Sequence, residues 1–246
     1  NKERKLQNNR VLRLLKRGGV MVRNVYDFDC GEETSFWYVI KDSFGGMDEL
    51  TSKMRNQVKK CFKTMRVERI SSDFLLVNGY NVFVEAMDNY RVKAKPPTLA
   101  DFEHRILTSD ENEYWGVFDI ETGKLVAFSM NAVTDECCEY RTMKAIPEYQ
   151  RLYAYYGLIY EMNRHYLSKR KLKYVNDGAR TITNHSNIQS FLIEKFNFRK
   201  AYCHIKITYK WWLDMAIKIL YPLRRLMPVR EVRALLNMEA MVRGDI

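Results

Sequence analysis

The chain has 246 residues, 46% hydrophobic and 13% aromatic, which suffices for a substantial core and argues against a disordered tail or a disulfide miniprotein. Lys and Arg number 41 against 30 Asp and Glu, so the net charge is +11 and the expected partners are polyanions: nucleic acid, phosphorylated cofactors or anionic lipid surfaces. Five cysteines, an odd number with no Cys-x-x-Cys pair, argue against a disulfide framework or a zinc site and suit a reducing cytosol. No run of 18 apolar residues occurs, no signal peptide is read, and Asn1 in place of Met leaves room for a longer native N-terminus.

Charge is unevenly spread along the chain. Residues 1–24 hold eight Lys or Arg against Glu3 alone, residues 98–139 hold ten acids against Arg105 and Lys124, and residues 199–233 hold nine bases against Asp214 and Glu231. A solvated face is the plain explanation of each block. Phe36–Ile40 reads as a short strand. Met47–Met65 reads as a basic helix with Met54, Val58, Cys61 and Phe62 on one face, and Asp73–Tyr90 as a second helix. The prolines of 93–98 stop any helix and force an extended connection. Thr98 and Asp101 then carry the signature of a helix N-terminus, with the helix running to about Leu107.

Tyr114–Ile120 and Leu125–Met130 read as strands joined by Glu121-Thr-Gly-Lys124, a strong hairpin signal. Glu139–Ile146 is a third strand closed by Pro147, with Cys137, Glu139 and Arg141 expected on one face. A helical period follows from Leu152 to Leu167, then a strand at Lys173–Asn176 ending in Asp177-Gly178. Ser186 or Asn187 opens a further helix with Ile188, Phe191, Leu192 and Phe196 on its apolar stripe, and Lys200–Tyr209 alternates as a strand. The order predicts an α/β fold, a mixed sheet with helices laid over it. The expected division is an N-terminal elaboration over 1–97, a core over 98–210 and a helical tail over 211–246. In the tail, Trp211–Leu226 is apolar with basic residues and a tryptophan pair, suited either to packing across the sheet or to peripheral membrane contact.

Asn187-Ile-Gln-Ser-Phe-Leu-Ile-Glu-Lys-Phe-Asn-Phe198, with the preceding Lys173-Tyr-Val-Asn-Asp-Gly-Ala-Arg180, resembles the end of the core of the GNAT acyltransferase superfamily. Ser52–Lys60 followed by Val67–Ile70 is similar to the variant that includes the Fem-type peptidyltransferases. The core resemblance covers about 114–209, with a weaker echo over 36–90. It implies a GNAT-like mixed sheet and transfer of an acyl group to an amine by direct attack. The donor it implies is acetyl-CoA or another acyl-CoA, with no metal. The Fem-type variant instead implies aminoacyl-tRNA acting on a cell-wall precursor. A silent module that binds a phosphorylated ligand is a further alternative. The implied acceptor is a small-molecule or peptide amine, in the cytoplasm.

Arg151 with Ala154 is the nearest alignment to the family's Gln/Arg-x-x-Gly-x-Gly/Ala pyrophosphate loop, and Tyr156 stands at its last small-residue position. The resemblance adds Asn187 as a donor contact, and Asn197 stands where Gly is usual. From the residues themselves, Asp177 at a strand end either orients or deprotonates the amine or is half of an Asp-Gly turn. Arg180 either binds an anionic substrate group or pairs within that turn. His185 is a candidate base or an exposed loop histidine, and Asn187 a candidate helix cap. Glu136 and Glu139 lie near the third strand, as a base or as a solvated edge. Tyr149, Tyr153, Tyr155, Tyr156, Tyr160 and Tyr166 exceed what one buried stripe needs, so some, Tyr155 among them, are expected to face the donor. Cys137-Cys138 reads as small core side chains.

Overall fold

The computed structural model describes residues 8–87, 97–108, 112–180 and 187–245. In chain order the elements begin α1 (Asn8–Lys16), β1 (Met21–Tyr26), β2 (Phe36–Lys41), α2 (Ser52–Thr64), β3 (Met65–Ile70), α3 (Ser72–Met87), α4 (Leu99–Leu107), β4 (Asn112–Asp119) and β5 (Leu125–Val133). They continue β6 (Cys137–Ala145), α5 (Pro147–Arg151), α6 (Ala154–Asn163), a π-helical turn (Arg164–Lys169), β7 (Tyr174–Ala179), α7 (Ile188–Phe196), β8 (Arg199–Tyr209), α8 (Trp211–Leu220), a 3₁₀ turn (Tyr221–Leu226) and α9 (Arg230–Arg243). The strands follow the order β1-β8-β2-β7-β6-β5-β4-β3 in a mixed sheet. Two compact units divide the chain: residues 40–178 with 185–199, and residues 1–39, 179–184 and 200–246.

In the larger unit β3, β4, β5 and β6 are antiparallel neighbours and β7 joins β6 in parallel. Alternation along the strands sends successive side chains to opposite faces. Phe128 lies against Phe83 and Phe102, so α3 and α4 cover one face. Its neighbours Ser129 and Asn131 point the other way, where Asn131 reaches Met162 and Tyr166 beneath α6 and the π turn. Thr98 and Asp101 form the reciprocal capping box at the start of α4, an arrangement that contributes about 1 kcal/mol. Helix α2 begins at Ser52 rather than Met47, because the Thr51 hydroxyl accepts from the Met54 amide and fixes the start. It buries Met54, Val58 and Cys61. Gly157 of α6 allows α2 to approach closely: a Cβ at Gly157 would lie 2.4 Å from Cys61 Sγ.

In the smaller unit β1 and β8 pair antiparallel from Met21 opposite Tyr209 to Tyr26 opposite His204. Val25, Phe36, Cys203 and Met241 form one small core there, and Ile217, Tyr221, Leu236 and Ala240 a second. Thr34 Oγ1 donates to the Cys203 carbonyl at 2.7 Å, and Ser35 Oγ donates to that of Met241.

Several expectations are corrected. Strand β3 occupies Met65–Ile70, where the reading placed only a helix end. The helix read from Leu152 begins at Ala154 as α6 and ends in the π turn, and a short α5, not expected from the sequence, precedes it before the break at Tyr153. Strand β7 continues through Asp177-Gly178 to Ala179. In β6, Thr142 lies opposite Met130 and Tyr140 opposite Asn131, so Arg141 is an extra, bulged residue; burial alternates up to it, with Cys138 and Tyr140 inward and Cys137, Glu139 and Arg141 less buried. Cys138 is buried while Cys137 is only partly so. Among the described residues no helix is long and apolar enough to cross a membrane.

Candidate active site

The pairing of β6 with β7 is brief: Cys137 lies opposite Tyr174, Cys138 opposite Val175 and Glu139 opposite Asn176. Beyond that point β6 carries its bulge at Arg141 and pairs onward with β5 alone. Two parallel strands joined only at their starts open toward their C-terminal ends, where open sheets receive ligands.

Asp177 follows directly after the last paired residue. Asn176, buried beside it, uses its Oδ1 to accept from the Gly178 amide at 2.9 Å, and Gly178 takes a φ of +87° that favours glycine. Burial raises the Asp177 carboxyl, and nearby Glu139 raises it further, to about 7. Glu139 itself is paired, with Arg141 Nε at 3.2 Å from its Oε2. The Asp177 carboxyl can therefore exchange a proton near neutrality. Asp177 also adds to the upward displacement of the Tyr140 phenol, whose first cause is burial. That hydroxyl donates to Asn163 Oδ1 at 2.8 Å.

The segment after β6 forms the candidate phosphate loop. Pro147 sits in the first turn of α5, Gln150 Nε2 donates to the Ala145 carbonyl at 2.8 Å, and the Tyr153 amide donates to the Gln150 carbonyl at 3.1 Å. Tyr153 then takes a φ of +71°, left-handed backbone that costs a residue with a Cβ about 1–2 kcal/mol. This break lets α6 start afresh at Ala154, which is fully buried, while Arg151 remains exposed and Tyr155 half-buried. The Tyr156 ring packs 5.1 Å from Phe191 and 6.1 Å from Phe196 of α7, and 5.3 Å from the ring of Tyr153 in the loop.

Asn187 stands just before α7, exposed, and its side chain makes no capping bond; its carbonyl accepts from the Phe191 amide at 2.9 Å. Its expected capping role is therefore not seen. Asn197 ends the same helix at a φ of +55°, the left-handed geometry glycine would take. Arg180 belongs to the smaller unit, where its guanidinium lies 4.2 Å over Trp37 and Nη1 donates to the Ser35 carbonyl at 2.6 Å. Burial lowers its pKa. His185 lies outside the described residues. Glu136 pairs with Lys173. Among the described residues no cluster of three or more His, Cys, Asp or Glu side chains is placed to hold a metal ion.

A buried polar cluster beside the site was not foreseen. The Tyr166 hydroxyl accepts from Trp115 Nε1 at 2.9 Å and Asn131 Nδ2 at 3.3 Å, and donates to Glu113 Oε2 at 3.2 Å. Ser129 Oγ donates to Asn131 Oδ1 at 2.5 Å, and Arg170 pairs with Glu113. Burial pushes the Tyr166 phenol far up, so it remains a donor. The sequence signal available was only polar Ser129 and Asn131 within an otherwise apolar strand.

No family model and no curated protein matches the chain. Solved structures do. FemX matches with a TM-score of 0.55 at 10% identity, covering 77% of this chain and 65% of that one. The C-terminal domain of a putative lysylphosphatidylglycerol synthetase from Agrobacterium fabrum matches with a TM-score of 0.55 at 13% identity, covering 83% and 68%. A looser match, with a TM-score of 0.42 at 13% identity, is a GCN5-related N-acetyltransferase-like protein from Streptococcus suis, covering 83% and 69%. The mixed sheet flanked by helices is the fold shared with the FemX and lysylphosphatidylglycerol synthetase structures. The chain spans 65% of the length of the FemX structure, and at these identities the likeness concerns the fold.

Proposed function

We propose that the protein is an N-acyltransferase in which Asp177 receives the proton of the acceptor amine. The observation that supports this most is a carboxyl raised to about 7 at the opening of the β6–β7 pair. The amine nitrogen attacks the carbonyl carbon of an activated acyl group and forms the new C–N bond. The proton it sheds passes to the Asp177 carboxylate, the C–S or C–O bond breaks, and the leaving thiolate or alkoxide takes up a proton. A base with a pKa near the working pH is well matched to this transfer. Glu139, paired with Arg141, supports it by keeping negative charge nearby, which holds Asp177 basic.

The donor in this reading is an acyl-CoA. Arg151 and the first turn of α6 supply a cation and backbone amides for a pyrophosphate. Asn187 and Tyr155 are the further donor contacts proposed.

A second reading, aminoacyl-tRNA as donor, is favoured by α2. That helix carries Lys53, Lys59, Lys60 and Lys63 on its exposed side and no acidic residue, and it packs against α6, which follows the loop. A thermal-shift comparison of coenzyme A thioesters with deacylated tRNA separates the two, because any ligand that prefers the folded state raises its stability. Stabilisation by coenzyme A is expected; stabilisation by tRNA alone selects the second reading. No response to either overturns both.

A further inference from the structure

We propose that the outward face of α8 and the 3₁₀ turn after it docks on the surface of an anionic phospholipid bilayer. The helix is apolar on two sides. Its inner stripe, Leu213, Ile217, Leu220 and Tyr221, packs with Leu235, Leu236 and Ala240 of α9. That contact accounts for the apolar residues a surface helix normally needs. The outer stripe is left to solvent: Trp211 is 76% exposed, Met215 56%, Ile219 67% and Leu226 77%, with Trp212 and Leu223 beside them. Positions 211, 215 and 219 stand one above another at helical spacing, so the exposure belongs to one face rather than to scattered residues. The 3₁₀ turn extends the stripe past Pro222 through Leu223 and Leu226.

The occupant follows from charge and residue type. The segment 199–233 carries nine Lys or Arg against two acids, and Asp214 is neutralised by Lys218 at 2.6 Å. Lys210, Arg225 and Arg224, the last packed over Tyr221, leave the apolar stripe edged by cations. The Lys210 amide donates to the Val20 carbonyl at 2.9 Å, which brings exposed Val20, four residues after Lys16 of basic α1, beside the start of α8. A second copy would set this basic rim against itself, whereas anionic headgroups complement it. Tryptophan pairs prefer the boundary where one side is apolar and the other wet.

The test is vesicle flotation of the whole chain with phosphatidylcholine, with and without phosphatidylglycerol, while tryptophan fluorescence is followed. Binding to the mixed vesicles with a blue shift, weakened by salt and absent on phosphatidylcholine alone, is expected. Trp211→Ser with Trp212→Ser should weaken binding roughly tenfold or more. Arg225→Glu should weaken it by about fivefold or more. Both variants change exposed side chains, and an unchanged melting temperature shows that the fold is kept. No flotation, or flotation indifferent to both variants, overturns the proposal. So does a dimer in light scattering that the double serine variant dissociates, since the face would then be a self-interface.

Discussion

At the scale of single residues the candidate chemistry rests on Asp177. Asp177-Gly178 is legible as a break in an apolar run, since glycine punctuates strands, although β7 continues through both residues to Ala179. The proton affinity of Asp177 is not legible, because burial and the approach of Glu139 from a strand 38 positions earlier arise only on folding. The same holds for Arg180, whose partner Trp37 lies far back in the chain. Asp177→Asn should lower turnover by about 10²–10⁴ while donor affinity changes little. In the parent, kcat should rise as the pH passes about 7, where the carboxylate forms. The stability sign is opposite. A carboxyl raised from 3.8 in the unfolded chain stabilises the fold fully below 3.8, and that contribution is lost as the pH climbs through 7. The neutral Asn variant escapes the loss, so in urea titrations it should gain on the parent by about 2–4 kcal/mol above pH 8. An equal difference at pH 4 and pH 8 would show that the carboxyl is not displaced. Arg151→Glu changes an exposed side chain and should leave the melting temperature alone while removing coenzyme A binding in calorimetry. An unchanged dissociation constant would take Arg151 out of the donor site.

At the scale of elements, legibility follows burial. The β4–β5 hairpin announces itself because buried residues fill both strands and Gly123, at a φ of +69°, supplies the turn. Strand β3 does not, because Arg66, Glu68 and Arg69 face solvent and its charge resembles the end of the basic helix before it. The bulge at Arg141 and the π turn after Asn163 are equally hidden, since each adds a residue to a repeat without changing its composition. The contact between α2 and α6 is specified by Gly157 and Cys61 together. Gly157→Ala should destabilise the fold by about 1–3 kcal/mol through overpacking. The added Cβ would lie 2.4 Å from Cys61 Sγ but 3.4 Å from Cys61 Cβ, so adding Cys61→Ala should recover much of the loss. Denaturant midpoints for the two single variants and the double variant decide this. Additive losses would mean that the two helices do not meet there.

At the scale of the whole molecule, composition indicated an anionic partner and could not say which. The structure distributes that charge: α2 carries an acid-free basic surface in the larger unit, and the segment from Lys200 to Arg233, with Asp214 and Glu231 as its acids, is the basic segment of the smaller one. The two donor readings differ in how many phosphates they engage. Coenzyme A presents few, so its affinity should fall gently with salt. A tRNA lying along α2 would release several counterions at once, and log Kd should rise steeply with log salt. Lys59→Glu with Lys60→Glu removes two cations from the exposed side of α2, away from Met54, Val58 and Cys61. On the tRNA reading, the slope measured by filter binding should flatten by about two, with the melting temperature preserved. On the coenzyme A reading, the same variant should bind its donor like the parent, because the pyrophosphate would rest on Arg151 and the start of α6. A variant that loses coenzyme A affinity while tRNA affinity is unaffected would contradict both assignments of α2.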